Sequence, residues 1–210
     1  MNCWNCRAEV SPGAFFCPEC EYIQPPKPGR SHFEILGIPA SFHVDRARLE
    51  KAYKKRSRRL HPDRFAMGTP RERRFSLEHT TALNDAWRIL RDPLKRSEYL
   101  LGLWGRPTAE SSQAPLPPDF LETIMELREN IGEAAMDGDQ TVLSSLLDRV
   151  GAMWADVFAA LRSSFAELEA SEGQLSAEKL DHAAGLLHRL RYLNNILAEY
   201  DRVPDLEHAP

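Results

Sequence analysis

All four cysteines of this chain lie within its first 20 residues, and their spacing constrains how the N-terminus can fold. They form two Cys-x-x-Cys pairs that are separated by ten residues, Cys3 with Cys6 and Cys17 with Cys20. A tight turn in each pair directs both thiolates to one ion, so two pairs supply the four ligands of a tetrahedral zinc site. Because thiolates occupy all four positions, no place remains for a catalytic water, and we expect a structural zinc.

Metal binding would also stabilise a segment that is too polar to fold alone. Structural zinc contributes on the order of 10 kcal/mol, which can replace a hydrophobic core in so short a module. Iron accepts the same four thiolates, so the cysteine pattern leaves zinc and iron open. Two disulfides are a weaker alternative for an intracellular chain. A redox-active Cys-x-x-Cys would need a strand–helix context that is absent from this segment.

Hydrophobic periodicity predicts that the remainder of the 210 residues is helical. A Pro-rich connector follows the cysteines, and a polar Pro-rich segment lies in the middle of the chain. We predict a mostly α-helical protein with a small four-cysteine zinc-knuckle module, a helical domain and a C-terminal antiparallel three-helix bundle. The predicted boundaries are 1–24 for the module, 31–105 for the helical domain, 106–117 for the linker and 118–202 for the bundle.

Three apolar stripes at helical spacing predict the bundle. The first carries Phe120, Ile124, Leu127 and Ile131 and ends at Asp137-Gly138-Asp139. The second runs from Leu143 to Leu168 and ends at Ser171-Glu172-Gly173, and the third begins near Ser176. Short connections between three helices favour antiparallel packing.

Leu121 and Met125 lie one turn apart beside the first apolar stripe, among several glutamates. Exposed apolar pairs with a charged rim are typical of partner-binding sites, whereas a widened core stripe would explain the same pattern.

The formal net charge of -4 conceals a strong segregation of charge. Residues 46–74 carry 12 basic and 3 acidic side chains, whereas residues 116–202 carry 7 basic and 16 acidic ones. Such asymmetry indicates two surfaces with different partners, although two well-solvated helical surfaces would produce it too.

The chain has no apolar stretch of membrane-spanning length, so we expect no membrane partner. The N-terminal residues lack the patterns of a secretory signal and of an organellar transit peptide. We therefore expect a cytoplasmic bacterial protein.

A basic amphipathic helix is predicted to begin after Asp45 and to end before Pro62, since the residue that precedes a proline is driven out of the α region. His61-Pro62-Asp63 then lies in a loop, and a second helix follows from Phe75 to Leu90. Taken alone, these three loop residues are compatible with a simple turn.

Their context resembles a J domain. The resemblance rests on residues 31–38 (SHFEILGI), 61–65 (HPDRF), 84–90 (NDAWRIL) and 93–100 (PLKRSEYL). It implies that the His61-Pro62-Asp63 loop and the basic helix engage the ATP-bound state of a DnaK-type chaperone and accelerate its ATP hydrolysis. His61 then needs no acid–base role, and we expect no enzyme activity. The basic residues implied are Lys51, Lys54, Lys55, Arg58 and Arg59.

The whole chain further resembles the HscB family of J-type co-chaperones in iron–sulfur cluster assembly. The resemblance rests on residues 96–101 (RSEYLL), the Pro-rich linker and the acidic bundle, and the cysteine segment is similar to the extra zinc module of the longer members. It implies that the bundle binds the cluster scaffold IscU and that the protein delivers IscU to a DnaK/HscA-type chaperone. Glu122 departs from the family, in which a hydrophobic residue is common at this position. The scaffold-binding residues implied are Leu121, Met125, Glu126, Glu129 and Tyr192.

Two other functions remain as alternatives. A general J-domain co-chaperone with different clients would share the chaperone-binding features. A zinc-knuckle nucleic-acid-binding protein would use the cysteine module and the basic block. However, the basic residues adjoin His61-Pro62-Asp63, few aromatics lie among them and an acidic domain is attached, so we expect no nucleic acid partner.

Overall fold

The computed structural model describes residues 1–106, 116–171, 175–202 and 204. Within these ranges no β-strand forms, and β-pairing is limited to two isolated bridges, Asn2 with Glu9 and Phe16 with Ile23. The mostly helical fold predicted from the sequence is thereby confirmed. The helices are α1 (His32–Leu36), α2 (Arg46–Leu60), α3 (Pro70–Leu90), α4 (Pro93–Leu103), α5 (Pro118–Asp137), α6 (Gln140–Ala170) and α7 (Ala177–Glu199).

The chain divides into two compact units, Met1–Asp92 and the part from Pro93 onward. The first unit contains the cysteine segment together with α1, α2 and α3, so these segments share one folded body. The second contains α4 and the bundle, and α4 packs against α7. The domain boundaries predicted from the sequence place α4 in the same domain as α1, α2 and α3. These boundaries stay predictions. Residues 107–115 of the predicted linker lie outside the described residues.

In the first unit, α1 and α2 both pack against α3. The helix α2 begins where the sequence predicts, because the Asp45 carboxylate accepts a hydrogen bond from the Arg48 backbone N–H at 3.0 Å. It ends at Leu60, and residues 62–65 form one turn of 3₁₀ helix within the predicted loop. Pro62 is suited to the first position of that turn because its φ is fixed and no N–H is needed there.

In the second unit, the predicted apolar stripe of α5 is buried in the core. Gly138 ends α5 with a left-handed φ of 72°, and Asp139 caps α6 by accepting from the Thr141 and Val142 backbone N–H groups. The helix α7 begins directly after Ser176. Both α5 and α7 pack against α6, so the predicted three-helix bundle is confirmed.

The predicted break after α6 begins at Ser171, which caps the helix end, whereas residues 172–174 lie outside the described residues. In the described ranges, no helix combines the length and the apolar character that a membrane crossing requires.

Candidate metal centre and partner-binding surfaces

The two Cys-x-x-Cys pairs fold into two knuckles with the same backbone hydrogen bond. In the first, the Arg7 N–H donates to the Cys3 carbonyl at 3.0 Å, and in the second the Glu21 N–H donates to the Cys17 carbonyl at 3.0 Å. Arg7 and Glu21 both adopt a left-handed φ, of 65° and 58°. Left-handed backbone is unfavourable for such residues, so the surrounding contacts of each knuckle must offset this strain.

The four sulfur atoms converge on one point, as the sequence predicts. All of them lie within 4.8 Å of one another, with Cys3 Sγ 3.7 Å from Cys20 Sγ and Cys6 Sγ 3.6 Å from Cys17 Sγ. Zinc–sulfur bonds of about 2.3 Å in a tetrahedron would separate the sulfurs by about 3.8 Å. The four cysteines are free thiols, since these separations far exceed a disulfide bond of about 2.05 Å. The donor set therefore fits one tetrahedral metal ion.

The local hydrogen bonds favour the thiolate form at Cys3. Burial alone would raise its pKa, but the backbone N–H groups of Cys6 and Asn5 and the Gln24 side chain outweigh burial and lower the pKa to about 6. At Cys6 the backbone N–H of Ala8 favours the thiolate, yet the Cys20 sulfur, burial and the other two sulfurs together raise its pKa to about 12. Crowded thiolates repel each other, so a bound cation is needed to keep all four ionised.

The cysteine module packs onto α2 and α3 through its aromatic residues. The Trp4 ring contacts Phe75 edge-on with a centroid distance of 6.4 Å, and the Phe15 ring contacts His79 at 5.0 Å. His79 Nε2 donates to the Gln24 carbonyl at 2.9 Å, which can only accept. Burial lowers the pKa of His79, so the neutral ring is favoured in this contact.

The 3₁₀ turn after α2 presents His61-Pro62-Asp63 to solvent. The backbone N–H of Asp63 donates to His61 Nδ1 at 3.3 Å, so this nitrogen acts as the acceptor that caps the turn. The His61 side chain is 52% exposed and that of Asp63 is 89% exposed. Both side chains are accessible to a partner protein.

The turn is held in place by the end of α2. The buried Leu60 carbonyl accepts from the hydroxyl groups of Ser76 at 2.6 Å and Thr80 at 3.0 Å, both on α3. On the far side of the turn, the Thr69 and Glu72 side chains form a capping box at the start of α3. Ser76 and Thr80 were not predicted from the sequence, in which their only signal is two hydroxyl residues spaced by four on one helix.

The predicted basic face of α2 is a solvent-exposed surface. The inner face of the helix buries Leu49 and Leu60 and stacks the Tyr53 ring on Trp87 at a centroid distance of 4.7 Å. Lys54 forms an ion pair with Glu50 one turn earlier. We define the basic face as the five exposed cations of α2 that the sequence singled out, Lys51, Lys54, Lys55, Arg58 and Arg59.

In the second unit, α5 exposes the predicted apolar pair. Leu121 is 37% exposed and Met125 is 69% exposed, so neither is part of a widened core stripe. We define the bundle patch as Leu121 and Met125 with the exposed Glu126 and Glu129 and the half-buried Tyr192.

Arg128 connects α5 to α7 at the bundle patch. Its guanidinium lies 5.9 Å from the centroid of the Tyr192 ring and pairs with Glu199. The neighbouring Arg191 Nε donates to Glu98 of α4 at 2.8 Å. The Arg128 contacts place Tyr192 beside α5, whereas the Arg191 contact ties α7 to α4. These roles of Arg128 and Arg191 were not predicted from the sequence.

Family models match both parts of the chain. Residues 31–99 match the DnaJ domain, and residues 116–201 match the HSCB C-terminal oligomerisation domain. The two matches identify the J domain and the helical domain that together characterise HscB proteins.

Individual relatives agree with the family models. The human iron–sulfur cluster co-chaperone protein HscB is 32% identical over 93% of this chain and 79% of its own length. The HscB homologue of Vibrio cholerae is 31% identical over 83% of this chain and 97% of its own length. The crystal structure of human HscB superposes with a TM-score of 0.82 at 31% identity, covering 96% of this chain and 97% of that one. The chain therefore belongs to the HscB family of J-domain co-chaperones in iron–sulfur cluster assembly.

Proposed function

We propose that this protein binds the iron–sulfur scaffold IscU through its C-terminal bundle and delivers it to a DnaK/HscA-type chaperone, whose ATPase it stimulates. The observation that carries the proposal is the presence in one chain of an exposed His61-Pro62-Asp63 turn beside a basic face, and of an apolar patch rimmed by glutamates. The protein itself is proposed to have no catalytic activity, because it acts by favouring one nucleotide state of the chaperone.

The chaperone-binding side is proposed to act by charge steering followed by docking of the turn. An exposed row of cations attracts an acidic partner surface with weak contacts that depend on salt. The exposed side chains of His61 and Asp63 then contact the chaperone. Because the turn is tied to α3 through Leu60, it is presented in one geometry, which lowers the entropic cost of binding.

The scaffold-binding side is proposed to use the bundle patch. Leu121 and Met125 provide apolar area that a partner can bury, and Glu126 and Glu129 provide a charged rim. Membership of the HscB family supports IscU as the client, in preference to the unrelated clients of a general J protein. The location in the bacterial cytoplasm stays a prediction.

The ion proposed for the four-cysteine module is structural zinc. Four thiolates at tetrahedral spacing fit this ion and supply no open position for a substrate. Cys3, Cys6, Cys17 and Cys20 would hold it and give the module a core that its small apolar cluster lacks.

Purified protein should contain about one zinc ion per chain, and Cys3→Ser with Cys17→Ser should reduce the metal content to near zero, because each knuckle then loses a thiolate. Metal analysis by mass spectrometry measures this directly. Glu19→Gln is the control, since it changes an exposed residue in the second knuckle and leaves every sulfur in place. Stoichiometric iron in place of zinc would contradict the assignment.

His61→Gln should abolish stimulation of the chaperone ATPase while IscU binding stays unchanged, because the substitution lies in the exposed turn of the first unit. Steady-state ATPase rates and calorimetry with IscU are the two measurements. The matched control is His43→Gln, an exposed histidine away from the turn, which should behave like the unaltered protein. Stimulation that survives in His61→Gln would refute the J-domain mechanism.

Leu121→Ala combined with Met125→Ala should weaken IscU binding at least tenfold, or about 1.4 kcal/mol, because a partner loses the apolar area of two side chains. Helicity by circular dichroism should not change, since both side chains lie outside the core. Val142→Ala on α6 removes apolar area from another exposed residue, 46% exposed, and should leave the affinity unchanged. Unaltered affinity of the double variant by calorimetry would exclude the bundle patch.

A further inference from the structure

One cation of the basic face is held by the cysteine module. The Arg59 guanidinium lies 4.4 Å from the centroid of the Phe16 ring, a distance at which the ring face attracts a cation. Arg59 lies two residues before His61 in the chain and is solvent-exposed. The module therefore contacts the basic face directly beside the exposed turn.

The Phe16 ring is carried by a part of the module whose backbone is hydrogen-bonded on both sides of Phe16. Phe16 pairs with Ile23 in an isolated β-bridge, and it directly precedes the metal-ligand candidate Cys17. The adjacent Cys17 N–H donates to the Tyr22 carbonyl at 3.0 Å. The knuckle geometry thus determines where the ring lies.

The module is also anchored on α3 at two further points. Phe15 contacts His79, and Trp4 contacts Phe75 while its Nε1 donates to the Ile23 carbonyl at 2.7 Å. These contacts dock the module on α3, and the contact of Phe16 with Arg59 docks it on α2.

We propose that the cysteine module is a part of the chaperone-binding surface, in which Phe16 positions the Arg59 guanidinium for an acidic group of the chaperone. The inference rests on the proposed function and deepens it. A long arginine side chain loses much rotational freedom when it binds, and a ring that orders it beforehand reduces that cost. Phe16 is therefore a positioning residue that acts through Arg59.

The test is a double-mutant cycle on the metal-loaded full chain, with ATPase stimulation of a DnaK-type chaperone measured against co-chaperone concentration. Phe16→Leu should raise the half-stimulating concentration about two- to fivefold, the range for an exposed cation–π contact, and leave the maximal rate unchanged. In an Arg59→Gln background, Phe16→Leu should have no further effect, because the guanidinium that Phe16 positions is absent.

Two controls separate positioning from general damage. In an Arg58→Gln background, the effect of Phe16→Leu should persist, since Arg58 is a cation of the same face. Phe16→Tyr keeps the aromatic ring and should retain the unaltered behaviour. Zinc content and circular dichroism of each variant should match the unaltered protein, and the Arg59 Nε–H proton resonance should shift in Phe16→Leu because the ring current is lost.

Independent effects of Phe16→Leu and Arg59→Gln, or no effect of Phe16→Leu, would overturn this inference while the proposed function stands. If the unaltered protein fails to stimulate the chaperone, the proposed function is wrong and this inference is wrong with it.

Discussion

The position of the exposed turn in the first unit depends on the hydrogen bonds that the backbone carbonyl of Leu60 accepts. A helix end leaves its last carbonyls without partners, and Pro62 prevents α2 from continuing to satisfy them. This carbonyl belongs to a buried residue, so it must find donors elsewhere, and the hydroxyls of Ser76 and Thr80 supply them from α3. The exposed turn that follows is thereby attached to the core of its unit.

Charge divides the chain into a basic and an acidic region that the net charge conceals. The basic residues concentrate on and beside α2, whereas the bundle is strongly acidic. A charged surface attracts a partner of opposite charge through contacts that are individually weak and sensitive to salt. Under the proposed function, the client scaffold and the chaperone therefore bind different surfaces of one chain and do not compete.

Local rules in the sequence predict the helices and the ligand set, whereas contacts between distant residues are not predicted. Asp45 and Pro62 delimit α2 because capping and the steric effect of proline act within a few residues. The four cysteines could be predicted as ligands because two Cys-x-x-Cys pairs are a usual pattern of one tetrahedral metal site. The docking of Phe15 on His79 depends instead on long-range packing, which no local period encodes. The exposed state of Met125 could be proposed from its position beside the core stripe, but only burial in the structure distinguished it from a wider core.

The central claim is that one chain couples a client scaffold to a chaperone's ATPase. The most direct measurement is the steady-state ATPase rate of a DnaK/HscA-type chaperone with this protein alone, with IscU alone and with both together. Coupling predicts that the rate with both exceeds the sum of the two separate stimulations. A combined rate that equals that sum would contradict the account, since the two surfaces would then act independently.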